Sequence, residues 1–302
     1  MTLYTHASSN IRRTWFLMTG FLVFVIGMGW VFGFVFQSPN IVVFAAGIAL
    51  FMNILSYWFA DKIALAMHRA KEVSKDQAPD LHRIVENLAI TAGLPKPRIC
   101  IVQDPAPNAF ATGRNPKHAV VAVTTGLMER LDRNELEGVL AHELSHVGNR
   151  DMLVGTVAVV LAGFISILSD FFLRSLLFGG FRNRDNREGG GGNQIFLVLG
   201  IAAAILAPIA AMLIQLAISR KREFLADASG ALLTRYPEGL AGALEKIGSY
   251  TRPMFTAKTA TAHLWLADPF GPKTKRTPWI VKLFMSHPPI EERVRVLRGE
   301  QR

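Results

Sequence analysis

The stretch DRNELEGVLAHELSHVGN, residues 132–149, decides the fold of this chain. Asp132 and Glu135 have the spacing of a capping box, which predicts that a helix starts here. His142 and His146 are four residues apart on that helix, so their imidazoles lie on one face, one turn from each other. The residues that must meet this face therefore constrain how the rest of the chain is arranged.

Residues 142–146 form the pattern His-Glu-x-x-His. Two imidazoles at this spacing can hold one metal ion, and Glu143 is then placed beside the metal, where it can take a proton from water. The alternative is a chance match, because a pattern with so few fixed positions also arises in ordinary helices. The segment carries few other charges, so two histidines and a glutamate are difficult to explain structurally. We therefore predict a metal-dependent active site.

A third metal ligand is expected, because catalytic zinc usually has three protein ligands and one open position. The candidates are Glu223, Asp227, His263 and His287. Glu223 and Asp227 are four residues apart on a predicted helix, Lys221 to Leu232, so Glu223 can reach the metal while Asp227 orients a ligand histidine. Alternatively, both carboxylates form a solvated face paired with arginines. A closed structural site would need a fourth ligand, from His263 or His287.

Four apolar runs predict membrane-spanning helices. Half of the chain is hydrophobic, and each run is near the roughly 20 residues that a helix needs to cross a bilayer. The runs are Trp15 to Phe36, Ile41 to Ala60, Leu153 to Leu173 and Ile195 to Ile218. A cleavable signal peptide is the alternative for the first run, but that run is long and a second follows at once. The prediction is four transmembrane helices in two hairpins.

The charges favour a membrane protein rather than a nucleic-acid-binding one. The formal net charge is +10, and the basic residues gather beside the apolar runs, where topology and anionic lipids explain them. Basic flanks at both ends of the first hairpin predict that both ends are cytoplasmic. The loop Arg174 to Gln194 also carries arginines, but His146 and Glu223 must meet at one metal, which requires that loop on the far side. The single cysteine, Cys100, excludes an internal disulfide and fits a reducing compartment.

These features predict an α+β membrane protein that is mostly helical. The predicted division is an N-terminal transmembrane hairpin (1–60), a cytoplasmic catalytic domain (61–150 and 219–302) and a second transmembrane hairpin with a Gly-rich loop (151–218). A small sheet is expected from Arg98 to Val102, Ala109 to Thr112 and His118 to Thr124, and further helices from Pro79 to Gly93, Pro237 to Ile247 and Pro289 to Leu297.

The order of the motifs resembles a known family. Residues 108–113 read NAFATG, residues 142–146 HELSH, residues 219–227 SRKREFLAD and residues 287–293 HPPIEER, with two spans before the first motif and two more between the second and the third. This is similar to the HtpX heat-shock membrane proteases of bacteria, which are relatives of the CAAX prenyl endopeptidases. The resemblance covers nearly the whole chain.

The resemblance implies a gluzincin-type zinc endopeptidase. It implies one Zn²⁺ per chain, held by His142, His146 and Glu223, with Glu143 as the general base. It also implies a substrate extended along an edge strand, near His118 to Thr124 or along Asn108 to Thr112. The expected role is quality control and stress response, by cleavage of damaged or misassembled membrane proteins. The expected location is the bacterial inner membrane, with the catalytic domain and both termini cytoplasmic.

Three further site residues are carried over from the resemblance. His287 is expected to approach the scissile carbonyl, Arg293 to be held by acidic partners, and Asn108 to hold the substrate backbone. The alternatives are that His287 caps the last helix, that Arg293 is surface charge, and that Asn108 is a turn residue.

Two other functions stay open at this point. One is a CAAX-type processing protease for lipidated C-termini, and the other is a non-catalytic membrane scaffold with a structural metal. The expected partners are membrane-protein or peptide substrates and the lipid bilayer, with no nucleic acid. The sequence leaves the oligomeric state open.

Overall fold

The computed structural model describes residues 3–182, 201–202, 205–206, 209, 220–271 and 288–300. Within them, three helices are long and apolar enough to cross a membrane: α1 (Leu3–Val35), α2 (Asn40–Met67) and α6 (Asp151–Arg182). They match the first three predicted spans, except that α1 ends at Val35, one residue before the predicted end of the first span. The predicted fourth span, Ile195 to Ile218, and its Gly-rich loop lie largely outside the described residues. The chain is therefore mostly helical, with three candidate membrane helices.

The three long helices pack together through apolar side chains. Phe21 of α1, Ala49 of α2 and Leu161 of α6 belong to one buried cluster. The outer faces of α1 and α2 stay apolar as well, since Phe16 is 73 % exposed and Phe44 is 70 % exposed. Large apolar side chains on an outer face are expected of helices surrounded by lipid rather than water.

A four-stranded mixed sheet lies beside the helices. Its strands are β1 (Lys71–Glu72), β2 (Arg98–Val102), β3 (Ala109–Thr112) and β4 (Val120–Thr124), in the order β1-β2-β4-β3. β2 and β4 are parallel, whereas β3 pairs antiparallel with β4 and β1 antiparallel with β2. β3 is therefore an edge strand. Of the two positions predicted for a substrate-binding edge, the one at His118 to Thr124 is wrong, because β4 has neighbours on both sides.

Six further helices lie in the described part of the chain. They are α3 (Pro79–Thr91), α4 (Thr125–Arg130), α5 (Arg133–Asn149), α7 (Arg220–Thr234), α8 (Pro237–Gly248) and α9 (Ile290–Leu297), with short 3₁₀ segments at Pro116–His118 and Thr259–Leu264. Leu140 of α5, Val85 of α3 and Leu244 of α8 share one buried core with the sheet. Both parts of the predicted catalytic domain contribute to this core, while the division into domains stays a prediction.

The start of α5 is fixed by its cap. The Asp132 side chain accepts hydrogen bonds from the backbone N–H groups of Asn134 and Glu135, and Glu135 Oε2 accepts one from the N–H of Asp132 at 2.8 Å. This is the capping box that the sequence predicts. The helix ends at Asn149, because Arg150 adopts a left-handed conformation with φ of 58°. The cap and this stop set the position of the motif helix along the chain.

Candidate metal centre and active site

Three side chains from α5 and α7 converge on one point. His142 Nε2 and His146 Nε2 are 3.1 Å apart, and the Glu223 carboxylate lies 3.8 Å from the first and 3.6 Å from the second. Ligand atoms bonded to one tetrahedral zinc ion are separated by about 3.3 Å, given bonds of roughly 2.0–2.2 Å. Two nitrogens and a carboxylate at these spacings fit a single divalent metal ion.

The close packing of α7 on α5 brings Glu223 to this point. Gly230 lies on α7 against the backbone of His142, and a Cβ atom at Gly230 would be 2.9 Å from the His142 nitrogen and 3.2 Å from its Cα. The two helices can approach this closely because glycine has no side chain here. Glu223 and Asp227 lie on the same face of α7 as Gly230, so the contact directs both carboxylates towards the histidines.

Asp227 orients the first histidine. Its Oδ1 lies 2.9 Å from His142 Nδ1, so that nitrogen donates a proton to the carboxylate and Nε2 presents its lone pair to the other ligands. Burial lowers the pKa of His142, with Asp227 opposing this effect. Burial alone would raise the pKa of Asp227, but the charge of Arg293 and the bond to His142 outweigh it and lower that pKa to about 2. Asp227 is therefore ionised at neutral pH.

Arg293 compensates the buried charge of Asp227. Its guanidinium is fully buried and donates two hydrogen bonds to the carboxylate, from Nε at 2.8 Å and from Nη2 at 2.6 Å. Nη1 also donates to the Leu266 carbonyl at 3.1 Å and lies 3.8 Å from Glu223. Burial disfavours the charge of Arg293, but Asp227 and Glu223 outweigh it and raise the pKa. Arg293 thus has Asp227 and Glu223 as its acidic neighbours.

The second histidine has its own carboxylate. His146 Nδ1 lies 3.1 Å from Oδ2 of Asp151, the first residue of α6. Burial would lower the pKa of His146, but the hydrogen bond to Asp151 and the charge of Glu223 outweigh it and raise that pKa to about 9. The sequence analysis did not identify Asp151. A signal was available, because this aspartate follows the motif helix directly, five residues after His146.

Asp151 is held in turn by residues from two other helices. Asn10 of α1 donates from Nδ2 to Asp151 Oδ1 at 2.6 Å and to the Asn149 carbonyl at 2.9 Å. Arg222 of α7 donates to Asn10 Oδ1 at 3.2 Å and lies 3.5 Å from Asp151. No pattern in the sequence links Asn10 to the motif helix. This network connects α1, the first candidate membrane helix, to the candidate metal ligand His146.

The carboxyl group of Glu143 is buried beside the candidate metal cluster. It is only 2 % exposed, and burial raises the pKa of its carboxyl to about 7. A backbone hydrogen bond from Ala111, on the edge strand β3, opposes this rise. A carboxyl with a pKa near neutrality can both accept and return a proton. Glu143 thus connects the candidate ligands to the edge strand β3.

Two other candidate residues, Asn108 and His263, make their contacts with other parts of the protein. Asn108 uses its amide within the protein, since Nδ2 donates to the Ala267 carbonyl at 2.9 Å and Oδ1 accepts from the Ala267 N–H at 3.1 Å. His263 lies 3.3 Å from the Gly155 carbonyl, and among the described residues the candidate metal cluster holds only His142, His146 and Glu223. His287 lies outside the described residues.

Sequence comparisons find this chain similar to known peptidases. The sequence model of peptidase family M48 matches residues 74–301. A protein called "Protease HtpX homolog" from Caldanaerobacter subterraneus is 46 % identical over 302 aligned residues, which cover 99 % of this chain and 98 % of that protein. A protein of the same name from Pyrococcus furiosus is 51 % identical, with 95 % and 94 % covered. The crystal structure of S. mikatae Ste24p aligns with a TM-score of 0.51 over 97 % of this chain and 67 % of that chain, at 16 % identity, which indicates a shared fold.

Proposed function

The chain belongs to peptidase family M48 and is a membrane metalloprotease, and we propose that one zinc ion per chain, held by His142, His146 and Glu223, forms its catalytic centre. One observation carries this proposal: the ligand atoms lie within 4.8 Å of one another, and each histidine has its other nitrogen on a carboxylate. Such partners fix the ring orientation and the tautomer of metal-bound histidines. Zinc in this position would polarise a peptide carbonyl and make water acidic enough to ionise near neutral pH.

Glu143 is proposed as the general base. Its carboxylate takes a proton from the attacking water and later returns it to the amine that leaves. The raised pKa of about 7 allows both transfers near neutral pH. His287 keeps its predicted place beside the scissile carbonyl as part of this proposal, while Asp227 and Arg293 hold His142 in position.

The substrate is proposed to lie along the edge strand β3. The Ala109 carbonyl already accepts a hydrogen bond from the Leu266 N–H at 2.9 Å, and the Ala111 N–H already donates to the Glu143 carboxylate, so the part of the edge left for a peptide begins at the Ala111 carbonyl. Through that hydrogen bond, Ala111 lies next to the proposed general base. Asn108 then contributes to substrate binding indirectly, by clamping the start of β3 to Ala267.

Backbone pairing of this kind suits an enzyme with varied substrates. An extended peptide added to a strand edge gains affinity from main-chain hydrogen bonds and needs little particular sequence. We infer that the substrates are damaged or misassembled membrane proteins, removed in quality control and stress response. The three apolar helices would keep the active site next to such substrates.

We propose the cytoplasmic side of the inner membrane as the location of the catalytic part and both termini. Basic flanks of the first hairpin support this orientation. The single cysteine, Cys100, is buried as a free thiol, which suits a reducing compartment. In the sequence, His146 comes before the segment that starts with α6 and Glu223 comes after it. For the two residues to meet, that segment must leave the membrane face and return to it.

The set of candidate ligands favours a catalytic metal site over a structural one. A closed structural site needs a fourth protein ligand. One of the two histidines considered for that position, His263, lies against the Gly155 carbonyl instead. The described ligands thus leave one position for water or substrate.

The test compares Glu143→Gln with the wild type in zinc content and in cleavage of a membrane-protein substrate. We expect about one zinc per chain in both proteins, chelator-sensitive cleavage in the wild type, and a loss of at least about 100-fold in the variant, since general base catalysis contributes roughly 10²–10⁴-fold. Glu137→Gln, on the same helix but off the metal face, is the matched control and should cleave normally. Normal cleavage by Glu143→Gln would refute the mechanism, and Glu223→Ala retaining its zinc would refute the ligand set.

A further inference from the structure

A cavity of about 720 Å³ lies beside the end of α2, next to the loop that joins β3 to β4. Its apolar lining comes from Ile54, Trp58 and Phe59, which face outwards on the last turns of the helix and are 50 %, 50 % and 44 % exposed. The same face continues along the candidate membrane span Asn40–Met67. The cavity thus starts where an apolar membrane helix gives way to the polar part of the protein.

The polar lining of this cavity is strongly basic. Its charged members are five cations and one carboxylate, namely Lys62, Lys96, Arg98, Arg114, Lys117 and Asp61. Asp61 is already engaged by Arg98 at 3.2 Å, and Lys96 by Glu86 at 2.8 Å. Within the described part of the chain, no carboxylate lies within 4.0 Å of Lys62, Arg114 or Lys117. Three positive charges in one cavity therefore lack an anionic partner from the described residues.

Arg114 is held in place without an acidic partner. Its guanidinium stacks over the Trp58 ring at 4.3 Å, and Nη2 lies 2.9 Å from His118 Nε2. Stacking uses the face of the guanidinium, so the edge N–H groups that do not contact His118 can bind an anion in its plane. Lys62 similarly lies over Phe59 at 5.4 Å. Arg114 and Lys62 are thus held directly against the apolar lining.

We propose that this cavity binds an anionic phospholipid, with the phosphate at Lys62, Arg114 and Lys117 and the acyl chains along Ile54 and Trp58. A phosphate between arginine and lysine side chains makes charge-assisted hydrogen bonds. Aromatic side chains such as Trp58 prefer the headgroup level of a bilayer, which places the cations at the depth of lipid phosphates. A soluble anion or a nucleic acid would use the cations but not the apolar lining, so a membrane lipid is the ligand that uses both.

The test measures lipid retention by the full-length Glu143→Gln protein, which avoids self-cleavage. Phosphatidylglycerol and phosphatidylcholine with identical acyl chains are added in equal amounts, and bound lipid is counted by native mass spectrometry. We expect preferential retention of phosphatidylglycerol. The triple variant Lys62→Gln, Arg114→Gln, Lys117→Gln should weaken its binding at least tenfold, since each cation near an anionic surface contributes roughly fivefold.

The matched control removes three exposed cations that lie outside the cavity, Arg83, Arg133 and Arg252, each changed to Gln. It should bind phosphatidylglycerol within about twofold of the unmodified protein, because the loss of net charge is the same but the cavity is intact. An equal loss in the two triple variants would overturn the proposal, as would equal retention of the two lipids.

Two further measurements distinguish lipid binding from binding of the soluble headgroup and control for misfolding of the variant. Sodium phosphate and glycerophosphoglycerol at millimolar concentration should not displace the bound lipid, and displacement by either would identify a soluble-anion site instead. If the triple variant melts early, the double variant Lys62→Gln, Lys117→Gln keeps the stack of Arg114 on Trp58. It should still lose phosphatidylglycerol binding by about fivefold or more, and unchanged binding in a folded double variant would overturn the proposal.

Discussion

The side-chain amide of Asn10 donates a 2.6 Å hydrogen bond to the carboxylate of Asp151. The other oxygen of that carboxylate lies 3.1 Å from His146 Nδ1. A residue near the start of the first membrane helix is therefore one side chain away from a proposed metal ligand. Asn10 is 3 % exposed and Asp151 9 % exposed, so water does not compete strongly for these bonds. The membrane helices thus form part of the support of the active site as well as its anchor.

Replacement of Asn10 by alanine should weaken zinc binding through Asp151. We expect an effect smaller than the roughly 10–100-fold loss seen when a direct partner of a metal ligand is removed, because Asn10 acts one step further out. Asn10→Asp should also weaken zinc binding, since it removes the donor and places a second carboxylate against Asp151, with Arg222 offsetting part of the added charge. The measurement is the zinc dissociation constant by competition with a chelating dye. Gln37→Ala, an exposed amide at the far end of α1, is the control, and equal affinities in all four proteins would contradict the proposed link.

A methyl group at Gly230 should separate α7 from α5. The added Cβ would lie 2.9 Å from the His142 nitrogen, and overpacking of this kind costs about 1–3 kcal/mol. We expect Gly230→Ala to bind zinc more weakly and to melt at a lower temperature, because Glu223 and Asp227 move away with α7. Gly148→Ala is the matched control, since its Cβ would meet only the Leu94 side chain at 3.7 Å or more. Similar behaviour of the two variants would show that the close approach of the helices is not needed.

The only cysteine offers a probe of the sheet. Cys100 is 2 % exposed, and burial raises the pKa of its thiol to about 11. Because the thiolate is the reactive form, maleimide at pH 7.5 should label the folded protein very slowly and the unfolded protein rapidly. The control is Cys100→Ser combined with Ser249→Cys, which moves the thiol to an exposed position and should be labelled at once. Rapid labelling of Cys100 under native conditions would contradict the buried position of β2.

Local sequence patterns predicted those features of the candidate site that are set by residue spacing within a single helix. The capping box at Asp132 and the spacing of His142 and His146 are properties of neighbouring residues, so they are visible in the sequence. The same holds for Glu223 and Asp227, which share one face of α7. A single helix periodicity was enough to propose these positions, and the family resemblance selected among them.

Contacts between distant segments could not be predicted in this way. Asn10 and Asp151 are 141 residues apart, and an apolar helix gives no pattern that specifies its partners. The first strand residue of β4 was also misplaced, because Asn115 caps a 3₁₀ turn at Pro116–His118 that delays the strand to Val120. The sequence predicts Asn108 as a substrate-binding residue or a turn residue, and only the folded chain brings Ala267 to its amide.

Two arginines at the C-terminal end of the described chain allow a direct test of what decides the contribution of an arginine to stability, its burial or the number of its hydrogen bonds. Arg298 donates four hydrogen bonds to Glu238 and Glu245, at 2.6–3.1 Å, but it lies at the surface. Arg293 donates two bonds to Asp227 inside the protein, where neither side chain is more than 1 % exposed. Solvent screens the first set of charges and leaves the second unscreened.

Arg293→Ala should therefore destabilise the protein much more than Arg298→Ala. Removing Arg293 leaves the Asp227 carboxylate buried without its cation, and breaking a buried ion pair in this way costs about 3–5 kcal/mol of unfolding free energy. Arg298→Ala leaves two exposed glutamates that water can solvate, so its melting temperature should stay close to that of the wild type. The measurement is thermal unfolding of both variants with zinc removed by a chelator, which separates folding from metal binding. A larger decrease in melting temperature for Arg298→Ala would contradict the burial argument and would place the stability of this end of the chain in its surface contacts.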